Sequence, residues 1–234
     1  MSPLEPRSEF LHSGKNGIET SVAIHEVLAG FSSAKGKQVM EREKVKEIFR
    51  RLNAAGIRYA LIGGLAYSEY APPRATQDVD LLLLVEDVSK VRDLFPGCYR
   101  RGTAIAGIYE FEGTRFDVQP ANRRLQIQVI LDSVDASFEG EPVKVASLQQ
   151  LLFLKLWASV ERTEVAKRLR DQADIASLLE HNQTRITPQD IAGIAGNLLS
   201  LAYTPEESEK FREAVRWLNQ VLDALKMHAH KFSD

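Results

Sequence analysis

Apolar residues fall at helical spacing in the first well-patterned stretch of the chain. Val45, Ile48, Phe49 and Leu52 recur three and four residues apart, which predicts an amphipathic helix over 41–53, with Gly56 as its stop. Tyr59, Ala60, Leu61 and Ile62 then form an unbroken apolar run, the pattern of a buried strand, and Gly63-Gly64 breaks it. Residues 65–70 predict a short helix ended by Pro72-Pro73. The run 79–85 predicts another strand, and 88–94 a helix that stops at Pro96-Gly97. Residues 106–111 and 114–118 predict two strands joined as a hairpin across Glu112-Gly113. Residues 125–131 and the stretch around Val143 are further strand candidates. From Ser147, a plausible N-cap, the texture becomes helical: Leu148, Leu151, Leu152, Lys155 and Leu156 share one face, and helical patterns continue to Leu179, over 188–202 and over 205–231.

This sorting predicts an α+β fold in three parts. Residues 1–39, rich in Ser, Gly, Pro and Lys with helical periodicity only over 24–31, read as a loose N-terminal extension, and Met40 opens the first strong helix. Residues 40–145 form a mixed α/β core, and residues 146–234 a helical region, with no internal repeat.

Composition narrows the function classes. With 234 residues, 44% hydrophobic and 26% charged, the chain has the make-up of a soluble globular protein able to bury a core. A net charge of -2 means that nucleic-acid binding would need a local basic patch. The single cysteine, Cys98, excludes an internal disulfide framework and suits a reducing compartment. No apolar run is long enough to span a bilayer and the N-terminus has no apolar signal core, so a cytoplasmic location without membrane contact is the expectation.

The candidate chemistry lies in three aspartates. Strand alternation puts Asp78 and Asp80 on one side of their strand, with Val79 on the other. Two carboxylates on one face repel unless a cation lies between them, and such hard oxygen ligands suit Mg²⁺ or Mn²⁺. Asp117, between Phe116 and Val118, has a strand context too; if the two strands are neighbours, three carboxylates converge, as two-metal phosphoryl transfer requires. Gly63-Gly64, between strand and helix, would let backbone amides approach a phosphate, and Arg74 in the return loop could pair with one.

Ile62-Gly63-Gly64 followed by Asp78-Val79-Asp80 and then Asp117 resembles the signature of the DNA polymerase beta-like nucleotidyltransferase superfamily. The longer string from Leu61 through Pro73-Arg74-Ala75-Thr76-Gln77 to Asp80 is similar to the AbiEii-type branch, which includes toxins of bacterial toxin–antitoxin systems. The helical part resembles that branch through Lys155, Asp171 and Asp174, although the stretch between the lysine and the acids is longer by about one helical turn. The resemblance implies the nucleotidyltransferase fold, a small mixed sheet with flanking helices. It implies metal-dependent transfer of a nucleoside monophosphate from a nucleoside triphosphate to an acceptor hydroxyl on tRNA or protein, and an antitoxin as partner. Gly63 and Gly64 would cradle the triphosphate and Asp78, Asp80 and Asp117 would bind Mg²⁺ or Mn²⁺. Asp117 would also serve or position the base, and Lys155 would contact a phosphate.

Plainer readings stand beside these. Gly63-Gly64 alone is a tight turn, and Asp78 alone a strand-start aspartate. Lys155 could be a snorkelling lysine at a core edge, Arg74 a loop charge, and Asp171 with Asp174 a solvated acidic face. Arg100-Arg101, Arg123-Arg124, Lys167, Arg168 and Arg170 read first as surface charges and second as an RNA patch. The whole could be a catalytically inactive nucleotide- or partner-binding module on the same fold, or an antibiotic-modifying enzyme.

Overall fold

A computed structural model describes residues 41–232; the expected extension over 1–39 lies outside the described residues. Helix α1 (Arg42–Ala54) buries Val45, Ile48, Phe49 and Leu52 completely, as the periodicity demands. Gly56, at φ +63°, turns the chain into β1 (Tyr59–Ile62), all four residues of which are buried. Helix α2 (Gly63–Tyr67) follows at once, then β2 (Asp78–Leu84) and α3 (Val85–Leu94). Next come β3 (Tyr99–Gly102), β4 (Gly107–Phe111) and β5 (Thr114–Ala121), with the expected hairpin closing at Phe111 and Thr114. Helix α4 (Arg124–Leu131), β6 (Val134–Phe138) and β7 (Glu141–Val145) complete the sheet.

The sheet has seven strands in the order β3-β4-β5-β2-β1-β7-β6 and is mixed. β1 runs antiparallel to β2 and parallel to β7, while β2 runs parallel to β5. One face, through Val79, Leu81, Leu83, Phe116 and Val118, joins the main core beneath α1 and α3. The other carries a smaller cluster of Ala60, Ile62, Leu82, Leu84 and Ala121, covered by Val129 and Ile130 of α4.

Four helices follow the sheet: α5 (Leu148–Glu161), α6 (Val165–His181), α7 (Pro188–Leu199) and α8 (Pro205–Ala224). Ser147 caps α5 by accepting the Gln150 N–H, and Thr187 and Thr204 cap α7 and α8 in the same way, each followed by proline at the first helical position. One continuous hydrophobic cluster runs from the strands into these helices. Among the described residues no helix is long and apolar enough to cross a membrane.

Two expectations need correction. Residues 125–131 form α4 rather than a strand. The alternation Leu125-Gln126-Ile127-Gln128 mimics strand period, but Gln126 Oε1 accepts the N–H groups of Asn122 and Arg123 and so starts a helix, and only Val129 and Ile130 are buried. Strands β3 and β6 were not expected. Both are outermost in the sheet and polar (Tyr-Arg-Arg-Gly and Val-Asp-Ala-Ser-Phe), as exposed edges tend to be.

Candidate active site

Strand register gathers the three aspartates. In the parallel β2–β5 pair Asp80 is the partner of Asp117, and Asp78 is the partner of Arg115. By alternation Asp78, Asp80, Arg115 and Asp117 project from the same face as Leu82, Leu84 and Ala121. Helix α4 covers the apolar end of that face, and the carboxylates occupy the other end.

The glycine turn closes on this group. Gly63 sits at φ +69°, a conformation costly for residues with a Cβ, and a Cβ there would come within 2.6 Å of Asp80 Cγ. A Cβ on Gly64 would lie 2.5 Å from Thr76 Oγ1 and 2.6 Å from Thr76 Cβ. The Gly64 N–H favours the ionised form of the Asp80 carboxylate. These glycines are therefore required by the approach of the protein to itself.

Burial pushes the Asp80 carboxyl up to about 7, and the negative charges of Asp117 and Asp78 push in the same direction. The positive charge of Lys155 and the Gly64 N–H oppose them. Asp78 is also raised, by burial first, against the pull of Arg115. Carboxylates that cost this much to ionise together are a natural seat for a cation.

Arg115, which the sequence reading passed over, now supplies that cation. Its guanidinium makes a forked pair with Asp117, Nε to Oδ1 at 2.9 Å and Nη2 to Oδ2 at 2.8 Å, and its Nε lies 3.3 Å from Asp78 Oδ1. Its position two residues before Asp117 on a strand was the available signal. Among the described residues no three His, Cys, Asp or Glu side chains are gathered so as to hold a metal ion as they stand. Both Asp117 oxygens are turned to Arg115. The donor set itself, three carboxylates on one face, fits Mg²⁺ or Mn²⁺.

No family model matches the sequence, and no curated protein matches it. Solved structures do. An antigenic nucleotidyltransferase-like protein from Paracoccidioides brasiliensis aligns over 81% of this chain and 92% of its own, at 20% identity and a TM-score of 0.51. ANT(2'')-Ia in complex with adenylyl-2''-tobramycin aligns over 69% of this chain and 98% of its own, at 12% identity and a TM-score of 0.52. The chain has the nucleotidyltransferase fold. At these identities the likeness concerns architecture, and the AbiEii-type branch rests on its motif alone.

Within this nucleotidyltransferase fold the helical region contributes a buried ion network beside the aspartates. Lys155 Nζ on α5 lies 2.9 Å from Asp171 Oδ1 and 2.6 Å from Asp174 Oδ2 on α6. Asp174 also receives both arms of Arg74, at 2.8 and 2.7 Å. Arg162 Nε lies 2.8 Å from Asp171 Oδ2 as a charge contact without hydrogen-bond alignment. The reading of Asp171 and Asp174 as a solvated face is corrected: each is only 3% exposed. The extra turn does not separate them from Lys155, because the chain reverses at 162–164 and α6 packs back along α5. Arg74 and Lys155 are thus held by carboxylates, while the Lys155 charge still reaches Asp80. The basic residues Arg100, Arg101, Arg123, Arg124, Lys167, Arg168 and Arg170 are spread over β3, the start of α4 and the outer turns of α6.

Proposed function

We propose that this chain is a metal-dependent nucleotidyltransferase. The observation that carries the reading is the pairing of Asp80 with Asp117 across β2 and β5, with Asp78 on the same face and the Gly63-Gly64 turn packed on Asp80. An acceptor hydroxyl attacks the α-phosphorus of a nucleoside triphosphate; the new O–P bond forms as the bond to the β-phosphate bridge breaks, and pyrophosphate leaves. Asp78, Asp80 and Asp117 would hold Mg²⁺ or Mn²⁺, which when bound neutralises charge on the phosphates and the leaving group. Asp117 receives or positions the hydroxyl proton. The Gly63-Gly64 turn would offer backbone amides to the phosphates, and Lys155 adds positive charge toward Asp80. Arg74 reaches a phosphate only by releasing Asp174.

For the acceptor, the AbiEii-type motif favours a hydroxyl on a tRNA end or a protein side chain, with the chain acting as a toxin held by an antitoxin. A second reading, a small hydroxylated drug, is favoured by the ANT(2'')-Ia structure, which contains adenylylated tobramycin. Calorimetric titration of ATP, CTP, GTP and UTP, with and without Mg²⁺, tests the core of the proposal. Metal-dependent binding that disappears in Asp78→Ala/Asp80→Ala supports it. Well-folded wild type that binds no triphosphate points instead to an inactive binding module on this fold.

A further inference from the structure

We infer that Arg115 is the resting counter-ion of the carboxylate face and must swing off Asp78 and Asp117 before those residues can hold a divalent cation. The inference rests on the proposed role of the three aspartates as metal ligands. Its geometric basis is that the guanidinium engages both oxygens of Asp117 and sits 3.3 Å from Asp78 Oδ1. The forked pair engages a lone pair on each Asp117 oxygen and sets a permanent positive charge against them, which opposes a second cation on the same carboxylate.

Two features make Arg115 displaceable. Its side chain is 39% exposed, against 31% for Asp78 and 21% for Asp117, so it lies at the solvent side of the group. It is attached to β5 through a long flexible stem, whereas the aspartates are fixed by the β2–β5 register. Its charge is permanent, so without metal the face is never left with only repelling carboxylates. Exchange of one positive charge for two then couples metal entry to release of a guanidinium at the mouth of the site. Arg115 acts through Asp78 and Asp117 and is a positioning residue.

The test compares Mn²⁺ binding to the full chain in wild type, Arg115→Met and Arg115→Lys, by calorimetry and by the electron paramagnetic resonance of free Mn²⁺. Loss of a competing positive charge at this range predicts a dissociation constant at least about tenfold lower for Arg115→Met. Arg115→Lys keeps the charge without the fork and should fall between. It also keeps the test open if Arg115→Met does not fold without metal. Addition of Mn²⁺ should raise the melting temperature of the variants more than that of wild type. Equal or weaker Mn²⁺ affinity in folded variants overturns the inference and makes Arg115 a scaffold, while wild-type binding leaves the function standing. Absence of Mn²⁺ binding in all three proteins removes both. Binding by the variants but not by wild type supports the inference in its strongest form.

Discussion

Gly63 and Asp80 approach so closely that nothing larger than a hydrogen fits on the Gly63 Cα. The turn after β1 is pressed against the carboxylate of the third residue of β2, and the N–H of the next residue, Gly64, favours that carboxylate's ionised form. The glycine turn and the acidic strand are therefore one unit. A change in either is felt by the other.

Gly63→Ala tests that unit. Alanine must adopt φ near +69° and push the Asp80 side chain aside. The left-handed conformation alone costs about 1–3 kcal/mol, and the clash adds to it. Urea unfolding should show a stability loss of at least about 2 kcal/mol. Triphosphate binding should be lost even under conditions where the variant stays folded. A variant of wild-type stability would mean the turn can relax, and the close approach would lose its structural significance.

Asp80 should make metal-free stability fall as pH rises. Its carboxyl titrates near 7 in the folded chain, against about 3.9 when unfolded, so between these values the folded state binds the extra proton. The slope of unfolding free energy with pH is then negative, and the penalty is complete above pH 7. A shift of that size corresponds to on the order of 2–4 kcal/mol, the lower end allowing for solvent at this partly exposed group. Asp80→Asn should remove the Asp80 share of the slope. Mg²⁺ affinity should also drop up to about tenfold per pH unit below 7, as the proton competes with the ion. Denaturant melts from pH 4 to 8 measure the first effect and calorimetry the second.

What was legible in the sequence, and what was not, follows from the range of the interactions. Asp78, Asp80 and Asp117 could be placed on one face because strand alternation is local and the apolar neighbours Val79, Phe116 and Val118 mark the other face. The same alternation puts Arg115 beside them, but an arginine next to an aspartate looks like an ordinary surface pair until the register brings Asp78 opposite. Asp171 and Asp174, three apart on a helix, have the local pattern of a solvated face. Only the reversal of α6 onto α5 supplies the lysine that makes them interior residues. Edge strands β3 and β6 lack an apolar face to announce them, and 125–131 alternated for reasons unrelated to a sheet.

The network around Lys155 should behave as a buried charge cluster. Lys155→Met leaves Asp171 and Asp174 buried with only Arg162 and Arg74, both partly exposed, as partners. Breaking a buried pair from one side costs about 3–5 kcal/mol, and the remaining arginines place this case at the lower end. Arg74→Gln, at the rim, should cost about 1 kcal/mol. Thermal and urea unfolding of both variants would show the order; a larger loss for Arg74→Gln would contradict the assignment of Lys155 as the centre of the cluster.

Glu69 offers a control for the pH argument, because it is raised for a different reason. Both its carboxylate oxygens are buried without a hydrogen-bond partner, and burial pushes the group up to about 7 against the pull of Arg185. Its folded value also exceeds the unfolded one of about 4.3, so it too withdraws stability as pH rises toward 7. The residue is only half-buried, which limits the effect to about 1–2 kcal/mol. Glu69→Gln keeps the shape, removes the charge, and should stabilise the chain at pH 8 but not at pH 4. Since Glu69 is not among the proposed metal ligands, Mg²⁺ should offset the Asp80 contribution and leave the Glu69 one untouched. Melts of Asp80→Asn and Glu69→Gln at pH 8, with and without Mg²⁺, separate the two: magnesium should change the gap between wild type and Asp80→Asn, and leave the gap between wild type and Glu69→Gln as it was.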